Sequence, residues 1–242
     1  MSDEFFVGWA RAPLRLVRFI AIVASVLLVV VDAVALILYR AQDARASGDW
    51  STAGEVAYDG ILLARPYPVV LVPASPRVPA HAVLLVSEGK NGAPPGLEAL
   101  DGKTVTVQGY PLLRDGLTVL QLEGLPHEAR TAQPPLVAAV TMGPRTLTGE
   151  IVDSKCYLGA MVPGEGKVHA ECAALCLLGD IPPLFVTHDA KGRNTYRLLA
   201  DETGGPMPVE AADHTGQFLT LSGTIIHRDG IDLFSVARSA LD

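Results

Sequence analysis

The chain repeats itself, and the repeat restricts its fold more than any other feature. Gly102-Lys-Thr-Val-Thr-Val-Gln-Gly109 runs on to Arg114-Asp115-Gly116-Leu-Thr-Val-Leu120. It aligns without a gap with Gly216-Gln-Phe-Leu-Thr-Leu-Ser-Gly223, running on to Arg228-Asp229-Gly230-Ile-Asp-Leu-Phe234. Both copies alternate apolar and polar residues with period two, the pattern of a half-buried strand. Both place a glycine in mid-strand, where it marks a bulge or sharp bend. Both then reach an Asp-Gly pair, which suits a type I′ hairpin because its two central residues need positive φ. The copies also begin alike, Gly60-Ile-Leu-Leu-Ala against Gly149-Glu-Ile-Val-Asp.

Short strands with bent middles and tight turns predict a mainly β chain of two tandem small five-stranded barrels of the OB type. A double-sheet sandwich is the alternative. The first module is expected over residues 54–130 and the second over 146–242. Further strands are predicted at 69–72 and 82–86 in the first copy and at 184–187 and 195–199 in the second. A linker is expected at 131–145, where Pro134, Pro135 and Pro144 interrupt regular structure. Between the corresponding glycines the second copy carries roughly 25 extra residues. Those extra residues hold a predicted helical insertion with His169, Cys172 and Cys176, and a grafted segment of this kind points to a site rather than to core packing.

Ahead of the repeat, residues 19–39 form an apolar run broken only by Asp32. As a helix at about 1.5 Å per residue it matches a hydrocarbon core of about 30 Å. It is too long for a signal-peptide core, so a signal anchor is predicted, with a tail at 1–18 and a linker at 40–53. Arg11, Arg15 and Arg18 precede the run while Arg40 and Arg45 follow it, which favours a cytoplasmic N-terminus by a narrow margin. The bulk of the chain, about 200 residues, is then expected to be exported. A carboxylate at the depth of Asp32 costs about 2.5–3.5 kcal/mol on insertion scales; it is either a tolerated, protonated or snorkelling acid near the outer leaflet or one paired with a partner helix of an integral membrane complex.

The stretch GEIVDSKCYLGAMVPGEGKVHAECAALCLLGDIPP, residues 149–183, contains all three cysteines. If 169–178 is helical, His169, Cys172 and Cys176 share one face. Cys156 sits beyond a Pro-Gly turn, and a loop folding back brings three thiolates and one imidazole to a point, the donor set of a closed four-coordinate site. The other outcome is a disulfide between two of the cysteines with the third a small buried residue. Zinc is the default ion for such donors, with copper or iron as alternatives and none if a disulfide forms. A closed site has no open position, so no catalysis is expected.

The second module resembles an exported, membrane-anchored bacterial OB-like domain type. The residues that carry the resemblance are Val152-Asp153-Ser154-Lys155-Cys156-Tyr157, then His169-Ala-Glu-Cys172-Ala-Ala-Leu-Cys176, then Gly179-Asp180-Ile181-Pro182. It covers about 147–236, and where the pattern often has Gly-Gly this chain has Gly179-Asp180. The resemblance implies a membrane-associated or periplasmic accessory protein with a metal or redox role.

Other classes find little support. The net charge of −7 and 6% aromatic residues argue against a nucleic-acid partner. Gly164-Glu-Gly166-Lys167 lacks the spacing of a phosphate loop and reads as a turn, as does Gly89-Lys90-Asn91-Gly92. Cys172 and Cys176 are not spaced as in thiol oxidoreductases. Lys155 and Lys167 flank the cysteine loop and are expected to be solvated. No small-molecule substrate is inferred. The functional expectation is a single-pass, metal-binding accessory subunit; the alternative is a redox or maturation accessory of a respiratory complex that uses the cysteines as a disulfide or as copper or iron ligands.

Overall fold

The computed structural model describes residues 13–42, 48–50, 54–129, 139–188, 194–228 and 230–241. The chain forms two compact units, Met1–Ala46 and Ser47–Asp242. The first unit is the helix α1 (Leu14–Gln42), which starts earlier than the predicted span. Its apolar side chains are exposed around the circumference, an arrangement that water does not tolerate and lipid does. It is long and apolar enough to cross a membrane. Asp32 lies within it.

The second unit contains β1 (Asp49–Trp50), β2 (Val56–Leu63), β3 (Val69–Val72), β4 (His81–Val86), β5 (Thr104–Arg114), β6 (Leu117–Leu122), β7 (His127–Glu128), β8 (Val140–Asp153), β9 (Pro183–His188), β10 (Asn194–Asp201), β11 (Phe218–Arg228) and β12 (Ile231–Val236), with the α-helix α2 (Ala170–Leu178) between β8 and β9. Strands β2, β3, β4, β6 and β5 close into a barrel, and β8, β9, β10, β12 and β11 close into a second with the same connectivity. The parallel pairs β4–β6 and β10–β12 occupy equivalent places. The tandem barrels and the helical insertion in the second are those predicted from the repeat.

The mid-strand glycines sit at the barrel corners. The first half of β5 pairs with β2 and its second half with β6, and Gly109 belongs to both ladders. Gly223 likewise faces Arg145 of β8 and Val236 of β12. A Cβ on either would run into a backbone carbonyl, of Gln121 or of Ser235, so only glycine permits the crossing. The first hairpin has positive φ at Asp115 and Gly116, as type I′ requires. Asp229 of the second lies outside the described residues, though Arg228 still pairs with Ile231. Pro144 does not break the chain: β8 begins at Val140, inside the stretch read as linker, and Pro144 pairs opposite Thr224 beside a register shift.

The barrels are not beads on a string. Val70, Val83, Leu85, Val105 and Leu120 fill the first barrel, while Ile151, Phe185, Leu199 and Phe234 fill the second. The intervening positions point the other way. Val69, Leu71, Leu84 and Val119 of the first meet Leu184, Val186, Leu198 and Leu233 of the second in a shared apolar seam. Both faces of β3, β4, β9 and β10 are therefore largely buried, which explains runs such as Val-Val-Leu-Val that do not alternate.

At the end of β10, Asp201 is 1% exposed. It accepts hydrogen bonds from Thr203 N and Oγ1 and from Gly205 N, and it pairs with Arg238 at 2.7 Å. Burial pushes its carboxyl up, but these donors outweigh burial and hold it well below the usual carboxylate range. A depressed native pKa contributes stability that is present above the unfolded value of about 3.9 and lost as pH falls through the native one. The denaturation midpoint should therefore drop below about pH 4, and Asp201→Asn should flatten that part of the profile while lowering the midpoint at pH 7.

Candidate metal centre

Residues 154–182 connect β8 to β9, where the first barrel has only 64–68 between β2 and β3. Asp153, the last residue of β8, starts the excursion. Its Oδ1 accepts from Cys156 N at 2.7 Å, turning the chain into the short helical turn Cys156–Ala160. The chain returns through α2, whose first turn is fastened to the barrel by Thr215 Oγ1 donating to Ala170 O. After α2, Gly179 N and Ile181 N both donate to Cys176 O, ending the helix. Asp180 there has φ of 65°, a left-handed conformation that favours glycine. Asp180→Gly should therefore stabilise the fold by about 0.5–1 kcal/mol, read as a higher urea midpoint.

The excursion brings the three cysteines together. Their sulfurs lie within 4.8 Å of one another. Cys156 and Cys176 are buried and Cys172 is partly exposed, and none is in a disulfide. Cys156 Sγ and Cys176 Sγ are 3.9 Å apart. His169, at the foot of α2, does not complete this trio. It groups with Asp153 and Cys156 instead, with Nε2 3.2 Å from Asp153 Oδ2. Cys172 and Cys176 share a helical face and the loop brings Cys156 to them, as expected, but the turn Lys167–His169 takes the imidazole off that face and toward the end of β8.

Asp153 and Lys90 went unnoticed in the sequence as site residues. Asp153 is fully buried and touches both the Cys156 backbone and His169. Its local signals are its place three residues before a cysteine and its part in the run Val152-Asp153-Ser154-Lys155-Cys156-Tyr157. Lys90 comes from the loop after β4 in the other barrel. Its ammonium is 2.8 Å from Cys172 Sγ and 3.3 Å from Cys176 Sγ. No local pattern connects residues so far apart in the chain. Lys155, expected in solvent, is buried and donates to Ser87 O and Gly89 O, both at 2.8 Å; Lys167 is exposed as expected.

The electrostatics favour one thiolate first. The hydrogen bond from Cys156 holds the Cys176 thiol down, against burial and with help from Lys90. The same contact, with burial, pushes the Cys156 thiol up. Partial burial opposes the Lys90 charge, but its bonds to the Cys172 and Cys176 sulfurs outweigh it and push the ammonium up. Burial lowers Lys155.

The trio and the neighbouring Asp–His pair could hold a metal ion. Sulfurs sharing a tetrahedral ion at about 2.3 Å stand about 3.8 Å apart, whereas a disulfide needs about 2.05 Å. The Cys156–Cys176 separation fits the former. Metal-bound histidines commonly give their second N–H to a carboxylate, the relation Asp153 has with His169. No protein family, curated protein or solved structure matches the chain.

Proposed function

We propose that the chain is a membrane-anchored accessory subunit that carries a structural metal ion outside the cytoplasm of a bacterium, and that it has no catalysis of its own. The ion is held by Cys156, Cys172 and Cys176; His169, which neighbours Cys156 and Asp153 rather than the whole trio, becomes the fourth donor by closing on the ion while Asp153 keeps its second ring nitrogen oriented. The observation that carries this reading is the 3.9 Å separation of the two buried sulfurs. The charges support a divalent ion. Three thiolates and the Asp153 carboxylate are partly offset by the ammonium groups of Lys90 and Lys155, and a dication neutralises the remainder; an uncompensated buried charge is costly. Zinc suits a sulfur-rich tetrahedral set that needs no redox chemistry. The ion would fasten the inserted loop and so shape a docking surface, with Asp32 of α1 facing a partner helix in the membrane.

Elemental analysis of protein purified in mild detergent without added metal tests the reading. About one equivalent of metal per chain is expected, and less than about 0.1 equivalent rejects it. A second reading follows from the same sulfur contact: Cys156 and Cys176 cycle between two thiols and a disulfide, giving up two protons and two electrons to a membrane electron carrier. Alkylation followed by mass measurement separates the two. A metal site protects all three thiols until chelation, whereas a disulfide leaves two unlabelled even after it.

A further inference from the structure

We infer that the metal centre belongs to both barrels, and that Lys90 of the first barrel is its positioning residue, donating to the sulfurs that bind the ion. This rests on the metal reading and adds to it a part for the module that has no cysteine.

An ammonium group carries three hydrogens to donate. Lys90 Nζ has three acceptors within reach, Cys172 Sγ at 2.8 Å, Cys172 O at 3.0 Å and Cys176 Sγ at 3.3 Å. All three lie on α2. Lys90 as a residue is exposed, so solvent alone would leave such a side chain free to wander and of little energetic weight. Its loop, however, is held from both ends. Gly92 N donates to Gly179 O just past α2, and Ser87 N donates within the loop to Asn91 O and Gly92 O. From the other side Lys155, one residue before Cys156, reaches back to Ser87 O and Gly89 O. A Cβ on Gly179 would strike Lys90 O, and one on Gly92 would strike Asp180 O, so the loop and the end of α2 are in backbone contact. The lysine is thus delivered to the sulfurs by a fixed loop.

Hydrogen bonds to a metal-bound thiolate withdraw charge from the sulfur and tune the ion. Removing them should make the sulfurs stronger donors, but it also leaves clustered thiolates with one cation fewer to offset their mutual repulsion, and the loss of that countercharge weakens the site. Outer partners of this kind typically change metal affinity about 10–100-fold.

The test compares full-length wild type, Lys90→Met and Lys90→Arg in detergent. Zinc affinity is read by chelator competition, and cobalt(II) serves as a coloured probe. Lys90→Met should bind zinc about ten-fold more weakly, with the sulfur-to-cobalt absorption moved to longer wavelength; Lys90→Arg should recover most of both. The metal-free midpoint of Lys90→Met should stay close to wild type, which excludes misfolding as the cause. Unchanged affinity and spectrum in Lys90→Met would overturn the assignment of Lys90 while leaving the metal reading in place. A wild type that takes up neither ion would overturn both.

Discussion

Cys176→Ser should lose most of its hold on the ion. Cys176 is 1% exposed and is the one sulfur in contact with both Cys156 and Lys90. Structural zinc sites bind with about 10–16 kcal/mol, so each of four donors accounts for about 3 kcal/mol. A serine hydroxyl stays protonated near neutral pH and is a poor replacement. Zinc affinity measured against a competing chelator should therefore fall at least about 100-fold. Stability should follow. With free zinc at about a thousand times the dissociation constant, binding adds about 4 kcal/mol to the fold. In a chain of this length each kcal/mol moves the melting midpoint by about 2–4 °C. Chelation should lower the wild-type midpoint by roughly 10 °C; Cys176→Ser, at no more than about ten times its weakened dissociation constant in the same free zinc, gains at most about 1.4 kcal/mol and should fall by no more than about 3–6 °C. Undiminished affinity in the variant would show that the thiol cluster is not where the ion sits.

The second large effect is expected at Arg114, the last residue of β5. Its side chain is 4% exposed. The guanidinium lies 3.8 Å over the Tyr157 ring, donates to Tyr157 O at 3.0 Å and pairs with Glu165 at 3.3 Å. It therefore fastens the first barrel to both limbs of the cysteine loop. Arg114→Ala strands a mostly buried carboxylate and opens a void against Tyr157. Breaking such a pair from one side costs about 3–5 kcal/mol, which should appear as a large drop in urea midpoint. Arg114→Ala with Glu165→Gln should regain part of the loss, because the orphaned charge has gone. Arg114→Lys keeps the charge but not the stacked plane, and should fall between. A loss below about 1 kcal/mol in the alanine variant would mean that this clamp carries little of the fold's stability.

These two residues show where reading the chain linearly stops. Arg114 was visible as the start of a hairpin turn, and Cys176 as one of three cysteines in an inserted stretch. Nothing in the neighbourhood of either indicated that the first would hold the tyrosine beside Cys156, or that Lys90 would cover the sulfurs. The repeat, the barrel strands, the corner glycines and the anchor helix are local properties. They follow from alternation, from turn chemistry and from a long apolar run, each contained within a few tens of residues.

What the amino-acid order determined by itself is accordingly the set of parts: an apolar helix, two copies of one bent-strand barrel, and a grafted segment with cysteines placed to share a helical face. How the parts of the second unit meet was settled only on folding. The outer faces of β3 and β4 cover those of β9 and β10, and that seam brings the Lys90 loop to α2 and Arg114 to Tyr157. The turn before α2 sends His169 to Asp153 rather than to Cys172 and Cys176. The physical reason is that apolar burial states how much surface must be covered without naming its cover. Side-chain contacts between distant segments exist only after that covering has been chosen.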